Sequence, residues 1–111
     1  MQTMLARPHV TIVKPKGYVN ASNAVEFQSQ LSTAVSSPDL SILLVDMEQV
    51  EYIDSAGLMA LVSALNLAQN LERRFSICSV SPSVRMIFEL TQLDSVFEIF
   101  ETRAAFEVAL A

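Results

Sequence analysis

At Ile53-Asp54-Ser55-Ala56-Gly57-Leu58 an apolar strand-like pattern gives way to a helical one within a few residues, and the rest of the chain has to be arranged around that change of period. Upstream, Ile42-Leu43-Leu44-Val45 reads as a short buried strand, and Val50-Glu51-Tyr52-Ile53 carries apolar residues toward the turn. Downstream, Leu58, Leu61, Val62, Leu65 and Ala68 recur at helical spacing, so one face of a helix starting near Ser55 must be buried. Asp54 or Ser55 is its N-cap, because either side chain can accept a hydrogen bond from an orphan backbone N–H of the first turn. A hydroxyl is thereby set at the positive end of a helix dipole, a place that suits a phosphate.

The same alternation runs along the whole chain. Residues 10–14 read as a first strand, Pro15-Lys16-Gly17 as a turn, and Tyr18-Val19 as a second short strand or its continuation, with Pro8 and Pro15 marking a sheet edge. Asn20 or Ser22 can cap a helix whose stripe is Ala24, Phe27, Leu31 and Val35, ended by Ser36-Ser37-Pro38-Asp39. After an exit turn over residues 70–74, residues 75–80 form a strand. Ser81-Pro82 then opens a third helix with Val84, Ile87, Phe88 and Thr91 on its buried face, since Ser caps well and Pro at the first helical position has no N–H to lose. A last strand at 96–100 precedes Thr102, which can cap a final helix bearing Phe106 and Leu110. The order implies an α/β fold: a mixed, mostly parallel sheet with an antiparallel edge, flanked by about four helices. In such folds ligand-facing groups gather at the carboxyl ends of strands, where Ser55 lies.

Composition narrows the function. A chain of 111 residues, 51% hydrophobic, can bury one good core and has no length for a second, so residues 1–111 read as one domain. Seven Lys and Arg, scattered among twelve Asp and Glu, cannot make the concentrated positive surface that nucleic acid requires. One cysteine leaves no internal disulfide; Cys78, in the strand-like Phe75-Ser76-Ile77-Cys78-Ser79, reads as a small buried hydrophobe. His9 beside Pro8 has no second ligand at a useful spacing, so it reads as an exposed edge residue and no metal site is expected. The first ten residues lack the pattern of a secretory signal, and the longest apolar-rich stretch, 57–68, falls short of the ~20 residues that cross a bilayer. A cytoplasmic location without membrane insertion is expected.

Enzyme readings find little support. Leu43-Leu44-Val45-Asp46-Met47 is similar to the phospho-accepting strand end of response-regulator receivers, but the acidic pair after the first strand and the Lys after the last strand are missing, so Asp46 reads as a strand-end polar group. There is no Gly-x-Ser-x-Gly elbow, and with only Gly17 and Gly57 there is no Gly-rich phosphate loop. No cofactor is expected.

Ile53-Asp54-Ser55-Ala56-Gly57-Leu58 resembles the Asp-Ser-Ser/Thr-Gly-Leu signature of the anti-sigma-factor antagonists, the bacterial branch of the STAS domains. Gly17-Tyr18-Val19-Asn20 stands where that family has a Gly-x-Leu/Ile-Asp segment, and residues 79–93 resemble its strand-to-helix region. The resemblance implies a partner switch with no chemistry of its own. It makes Ser55 the residue phosphorylated by an anti-sigma serine kinase of the histidine-kinase-like ATPase type and restored by a cognate serine phosphatase, with the unphosphorylated form binding the kinase. Asn20, Asp54, Ala56, Gly57, Leu58 and Met59 make up the neighbourhood of the phosphosite, with Leu58 and Met59 expected to supply apolar contact. Three positions depart from the family pattern: Ala56 leaves Ser55 as the only hydroxyl of the motif, Met59 stands where a second Gly is common, and Asn20 replaces the usual Asp and removes a negative charge. The alternative within the same family is a STAS scaffold or a small-ligand or nucleotide sensor in which Ser55 is never modified.

Overall fold

The computed structural model describes residues 10–39 and 42–110. His9 and Pro8 lie outside these residues. Within the described residues six strands and four helices follow one another as β1 (Val10–Val13), β2 (Gly17–Val19), α1 (Ala24–Val35), β3 (Ile42–Asp46), β4 (Val50–Ile53), α2 (Ser55–Asn70), β5 (Arg74–Cys78), α3 (Pro82–Leu90), a short 3₁₀ turn at Leu93–Ser95, β6 (Glu98–Phe100) and α4 (Arg103–Leu110).

The main sheet has the order β1-β3-β5-β6, with every neighbour parallel. Because the strands are laid down in one direction across the sheet, right-handed crossovers must all pass over the same face. Helices α1, α2 and α3 accordingly share one core with the side chains of Leu43, Val45, Phe75 and Ile77. The opposite face, formed by Ile42, Leu44 and Cys78, is covered by Phe106 of α4. Both faces of β3 are buried, which explains why it reads as an unbroken apolar run. Burial pushes the Cys78 thiol up, in keeping with a packed side chain.

The fold class is as expected, and one detail differs. Among the described residues every ladder is parallel, so the expected antiparallel edge is not found there. The reason is that β1 does not pair with β2. Strand β1 steps out of the main sheet into β2, just as β3 steps out into β4, and the two connections are joined where the Gly17 N–H donates to the Gln49 carbonyl at 2.8 Å. Gly17 has φ +69, a left-handed value that glycine adopts without strain. Strands β2 and β4 thus form their own two-stranded parallel sheet, in which Gly17 pairs with Val50 and Tyr18 with Tyr52, leaving Glu51 as the bulged residue.

Several local readings carry through. Ser81 Oγ accepts from Val84 N at 3.3 Å with Pro82 opening α3, and Thr102 Oγ1 accepts from Ala105 N at 3.0 Å. Others are corrected. Asn23, not Asn20 or Ser22, occupies the N-cap of α1, because the Asn20 side chain is used within its own turn. Thr91 is the exposed C-cap of α3 and donates to the Ile87 carbonyl at 2.8 Å, so it does not line the buried face. Residues 96 and 97 lead into β6 without joining it, since the 3₁₀ turn draws Phe97 N back to the Leu93 carbonyl. At the far end of α1, which has no basic residue in its last turn, the Arg73 guanidinium donates to the carbonyls of Val35 and Ser37.

The pairing of β5 with β6 is reinforced by a forked ion pair, Arg74 Nε and Nη2 to the two Glu98 oxygens at 2.8 and 2.7 Å. Hydrogen bonding from Arg74 holds the Glu98 carboxyl below its ordinary value of 4.5, against the opposing effect of burial. A depressed carboxylate stabilises the fold above its unfolded pKa, and that stability is lost as pH falls through the lower folded value. With Arg74 and Glu98 side chains 38% and 43% exposed, solvent screening limits the effect to about 1 kcal/mol or less. Glu98→Gln should therefore lower stability to urea slightly at neutral pH, and the difference from wild type should shrink as pH falls below the ordinary carboxylate range; a loss that does not change with pH would show that charge is not its source.

Candidate functional site

The second sheet ends where α2 begins. Pairing of β2 with β4 continues to the junction, with Val19 opposite Ile53 and Asp54 N donating to the Val19 carbonyl at 3.0 Å. Asp54, itself still extended, caps the helix: Oδ1 accepts from Gly57 N at 3.0 Å, while its carbonyl accepts from Leu58 N at 2.9 Å. The other oxygen, Oδ2, accepts from Ala21 N at 3.1 Å. One carboxylate thus ties the first turn of α2 to the loop that leads into α1.

That loop is internally braced. Asn20 Oδ1 accepts from Ser22 N at 3.0 Å and from Ser22 Oγ at 2.6 Å. Asn23 Oδ1 accepts from Asn20 N at 2.9 Å, and its Nδ2 donates to the Tyr18 carbonyl at 2.8 Å. Asn20 therefore lies in the segment held by Asp54, its amide oxygen engaged in the turn; the role it plays could equally be filled by a carboxylate oxygen.

With capping done by Asp54, Ser55 is the first residue of α2, exposed, and its hydroxyl is bonded to no other described residue. Ala56 is half-buried and adds no polar group. Gly57 is buried at the closest approach of α2 to the small sheet: a Cβ there would lie 2.6 Å from Ile53 Cγ1, 2.8 Å from Val19 Cγ1 and 3.0 Å from the Val19 carbonyl oxygen. Leu58 turns into the core and is 5% exposed, so the expected contact role is withdrawn for it; at this register the chain points inward, one residue before Met59, which is 59% exposed.

Two features were not singled out by sequence. Val19 supplies both the carbonyl that receives Asp54 N and the wall that Gly57 meets, yet nothing in a lone Val announces either role. Tyr18 and Tyr52 form an exposed cross-strand pair, ring centroids 6.3 Å apart, which required knowing that β2 pairs with β4.

The family model of the STAS domain matches residues 2–105. The chain belongs to the STAS domain family. A Bordetella bronchiseptica protein named as a candidate anti-sigma factor antagonist, BtrV, is 29% identical to this STAS domain over 99 residues, spanning 86% of this chain and 84% of its own. The crystal structure of a candidate anti-sigma factor antagonist from Thermotoga maritima superposes with a TM-score of 0.83 at 24% identity, covering 91% of this chain and 86% of that one. The Bacillus cell fate determinant SpoIIAA in its phosphorylated form gives a TM-score of 0.68 at 16% identity over 96% and 95% of the two chains. Its unphosphorylated form gives 0.69 at 12% over 94% and 90%. At such identities these structures speak to the fold of the STAS domain. Among the described residues no helix is long and apolar enough to cross a membrane.

Two substitutions probe the junction. Gly57→Ala gains helix propensity but forces Ile53 or the Val19 backbone to move, and should destabilise the domain by about 1–3 kcal/mol. Asp54→Ala removes a cap and the Ala21 anchor together and should lose about 2 kcal/mol, while Asp54→Asn, with one acceptor oxygen, falls between. Urea denaturation measures all three; a neutral Asp54→Ala would show that the two bonds are dispensable.

Proposed function

We propose that this STAS domain is an anti-sigma-factor antagonist that works as a phosphorylation-controlled partner switch, with Ser55 as the acceptor. In this reading the unphosphorylated chain binds a serine kinase of the histidine-kinase-like ATPase type, phosphorylation of Ser55 releases it, and a serine phosphatase restores the binding form. The domain itself performs no catalysis and acts in the cytoplasm. The observation that carries the reading is the division of labour at the head of α2: Asp54 does the capping, so the Ser55 hydroxyl is exposed and free of structural duty.

The physical argument runs from charge to affinity. A phosphoryl group adds about −1.5 to −2 charges. At a helix N-terminus the dipole favours an anion by ~0.3–1 kcal/mol, and the N–H groups of Ser55 and Ala56 have no partner among the described residues, so the fold can accept the group. Asp54 and Glu51 oppose part of that gain. Asn20 contributes no charge, which makes the loop beside Asp54 more tolerant of a dianion than the Asp of the family pattern. Covering an unpaired dianion under a partner, by contrast, costs several kcal/mol, and each ~1.4 kcal/mol is tenfold in affinity. Release therefore needs no refolding. The likeness of the chain to SpoIIAA in both its phosphorylated and unphosphorylated forms, at TM-scores of 0.68 and 0.69, supports a scaffold common to the two states.

Incubation with a cognate kinase and ATP should add the mass of one phosphoryl group to the wild type and none to Ser55→Ala. Phosphorylation should weaken kinase binding by roughly 100-fold or more, with amide shifts confined to the junction. Equal affinity of the two forms, or modification that persists in Ser55→Ala, would remove the switch and leave a scaffold or ligand-sensing domain.

A further inference from the structure

The two faces of the main sheet are covered very differently. On one, helices α1, α2 and α3 share a single core. On the other, α4 is the only helix, among the described residues, that covers Ile42, Leu44 and Cys78. It holds on by the buried ring of Phe106, which meets Phe100 edge-on with centroids 5.5 Å apart. Leu110 is half-buried and Val108 is exposed. Among the described residues no side-chain hydrogen bond or ion pair joins α4 to the sheet. Its ion pair, Arg103 to Glu107 at 3.7 Å, lies within the helix, and its cap is the adjacent Thr102.

The polar groups beneath the helix do not depend on it either. Ser76 and Arg74, two and four residues before Cys78, share its face of β5, and both bond to Glu98 of β6. Ser76 is fully buried, yet its hydroxyl keeps that partner whether or not α4 is in place. Asp46, also buried, accepts through Oδ1 from the Glu48 N–H of its own turn at 3.0 Å. Lifting α4 therefore wets apolar side chains and breaks no side-chain bond to the sheet. Nor does the helix persist alone: it has 8 residues, and isolated helices shorter than about 12–15 residues are marginal in water.

We infer that α4 is a cover that opens as a unit about Glu101 and Thr102 while the rest of the domain stays folded, and that this opening is the route by which thiol reagents reach Cys78. The chain has one cysteine, fully buried in the cluster that Phe106 closes, so α4 decides whether a thiol is presented at all. Units held by few buried contacts open at a free energy well below that of global unfolding. The corner that carries Ser55 belongs to the other core, so this inference does not rest on the switch reading.

Cys78 itself reports the opening. The full chain is treated with excess N-ethylmaleimide in increasing urea and weighed intact, while global unfolding is followed by the fluorescence of Tyr18 and Tyr52 on the small sheet. Labelling should be nearly flat in low urea, because opening α4 exposes little surface, and about 100-fold or more faster than the globally unfolded fraction allows. Phe106→Ala should speed labelling by about tenfold or more without urea, whereas Phe88→Leu, in the other core, should lower the urea midpoint and leave labelling within about twofold. Hydrogen exchange on the wild type, which needs no variant to fold, should release the amides of residues 107–110 about 100-fold sooner than those of β3 and β5. Labelling that climbs with urea as steeply as global unfolding, or that ignores Phe106→Ala, or that answers equally to Phe88→Leu, would overturn the inference. So would equal protection of α4 and β3.

Discussion

The Asp54 carboxylate holds two backbone donors that are far apart in the chain, Gly57 in the first turn of α2 and Ala21 in the loop ahead of α1. Each bond alone is an ordinary cap or loop contact worth about 1 kcal/mol. Together they carry the β2–β4 pairing, which already joins the two segments at Val19 and Ile53, around the corner into both helices. They also decide what Ser55 is. A serine before a helix is usually its cap, and a capping hydroxyl is already spent; because the preceding carboxylate takes that task, the hydroxyl is left facing solvent at the positive end of α2.

The corner is located by the second sheet. In an open sheet whose strand order reverses, helices diverge to both faces and leave a crevice at the carboxyl edge. Among the described residues the order β1-β3-β5-β6 has no reversal to make that crevice. What places the corner instead is the step out of the main sheet, β1 into β2 and β3 into β4, at whose end α2 starts. Gly57 sets how closely α2 can seat on the step, since Ile53 and Val19 fill the space a side chain would need. The backbone bond from Asp54 N to the Val19 carbonyl and the two bonds of the Asp54 carboxylate together fix where the exposed hydroxyl stands.

Much of this was legible in the sequence wherever one residue type had one physical option. Pro82 after Ser81 can only begin a helix, Thr102 had no rival as a cap, and the run at β3 could only be a strand buried on both faces. Legibility failed where neighbouring residues could exchange roles. Asp54 and Ser55 are equally able to cap, and Asn20, Ser22 and Asn23 compete for the start of α1, so only the three-dimensional partners, Ala21 N and the Tyr18 carbonyl, choose among them. Helical periodicity placed Leu58 in the buried stripe of α2, where it lies; its place in the motif beside Ser55 suggested contact, and there the periodicity decides. Long-range partners left no local trace: Arg73 closes α1 across 38 and 36 residues, and the pairing of β2 with β4 is invisible in two segments of three and four residues.

Charge distribution connects the corner to the switch. Spread over a chain of net charge −5, a phosphoryl dianion would be a modest increment, and screening at physiological salt confines its influence to about 8 Å. At the head of α2 the same dianion joins the Asp54 carboxylate within that distance, with no Lys or Arg in the helix to offset it. In the proposed switch, a partner that covers Ser55 would have to strip water from that dianion, so the modification would turn a hydroxyl that is inexpensive to desolvate into a group that is costly. Helix α2 itself carries no Lys, Arg, Asp or Glu, while Ser55, Met59, Asn66, Gln69 and Asn70 are exposed, so within the helix a charge placed on Ser55 would meet no other.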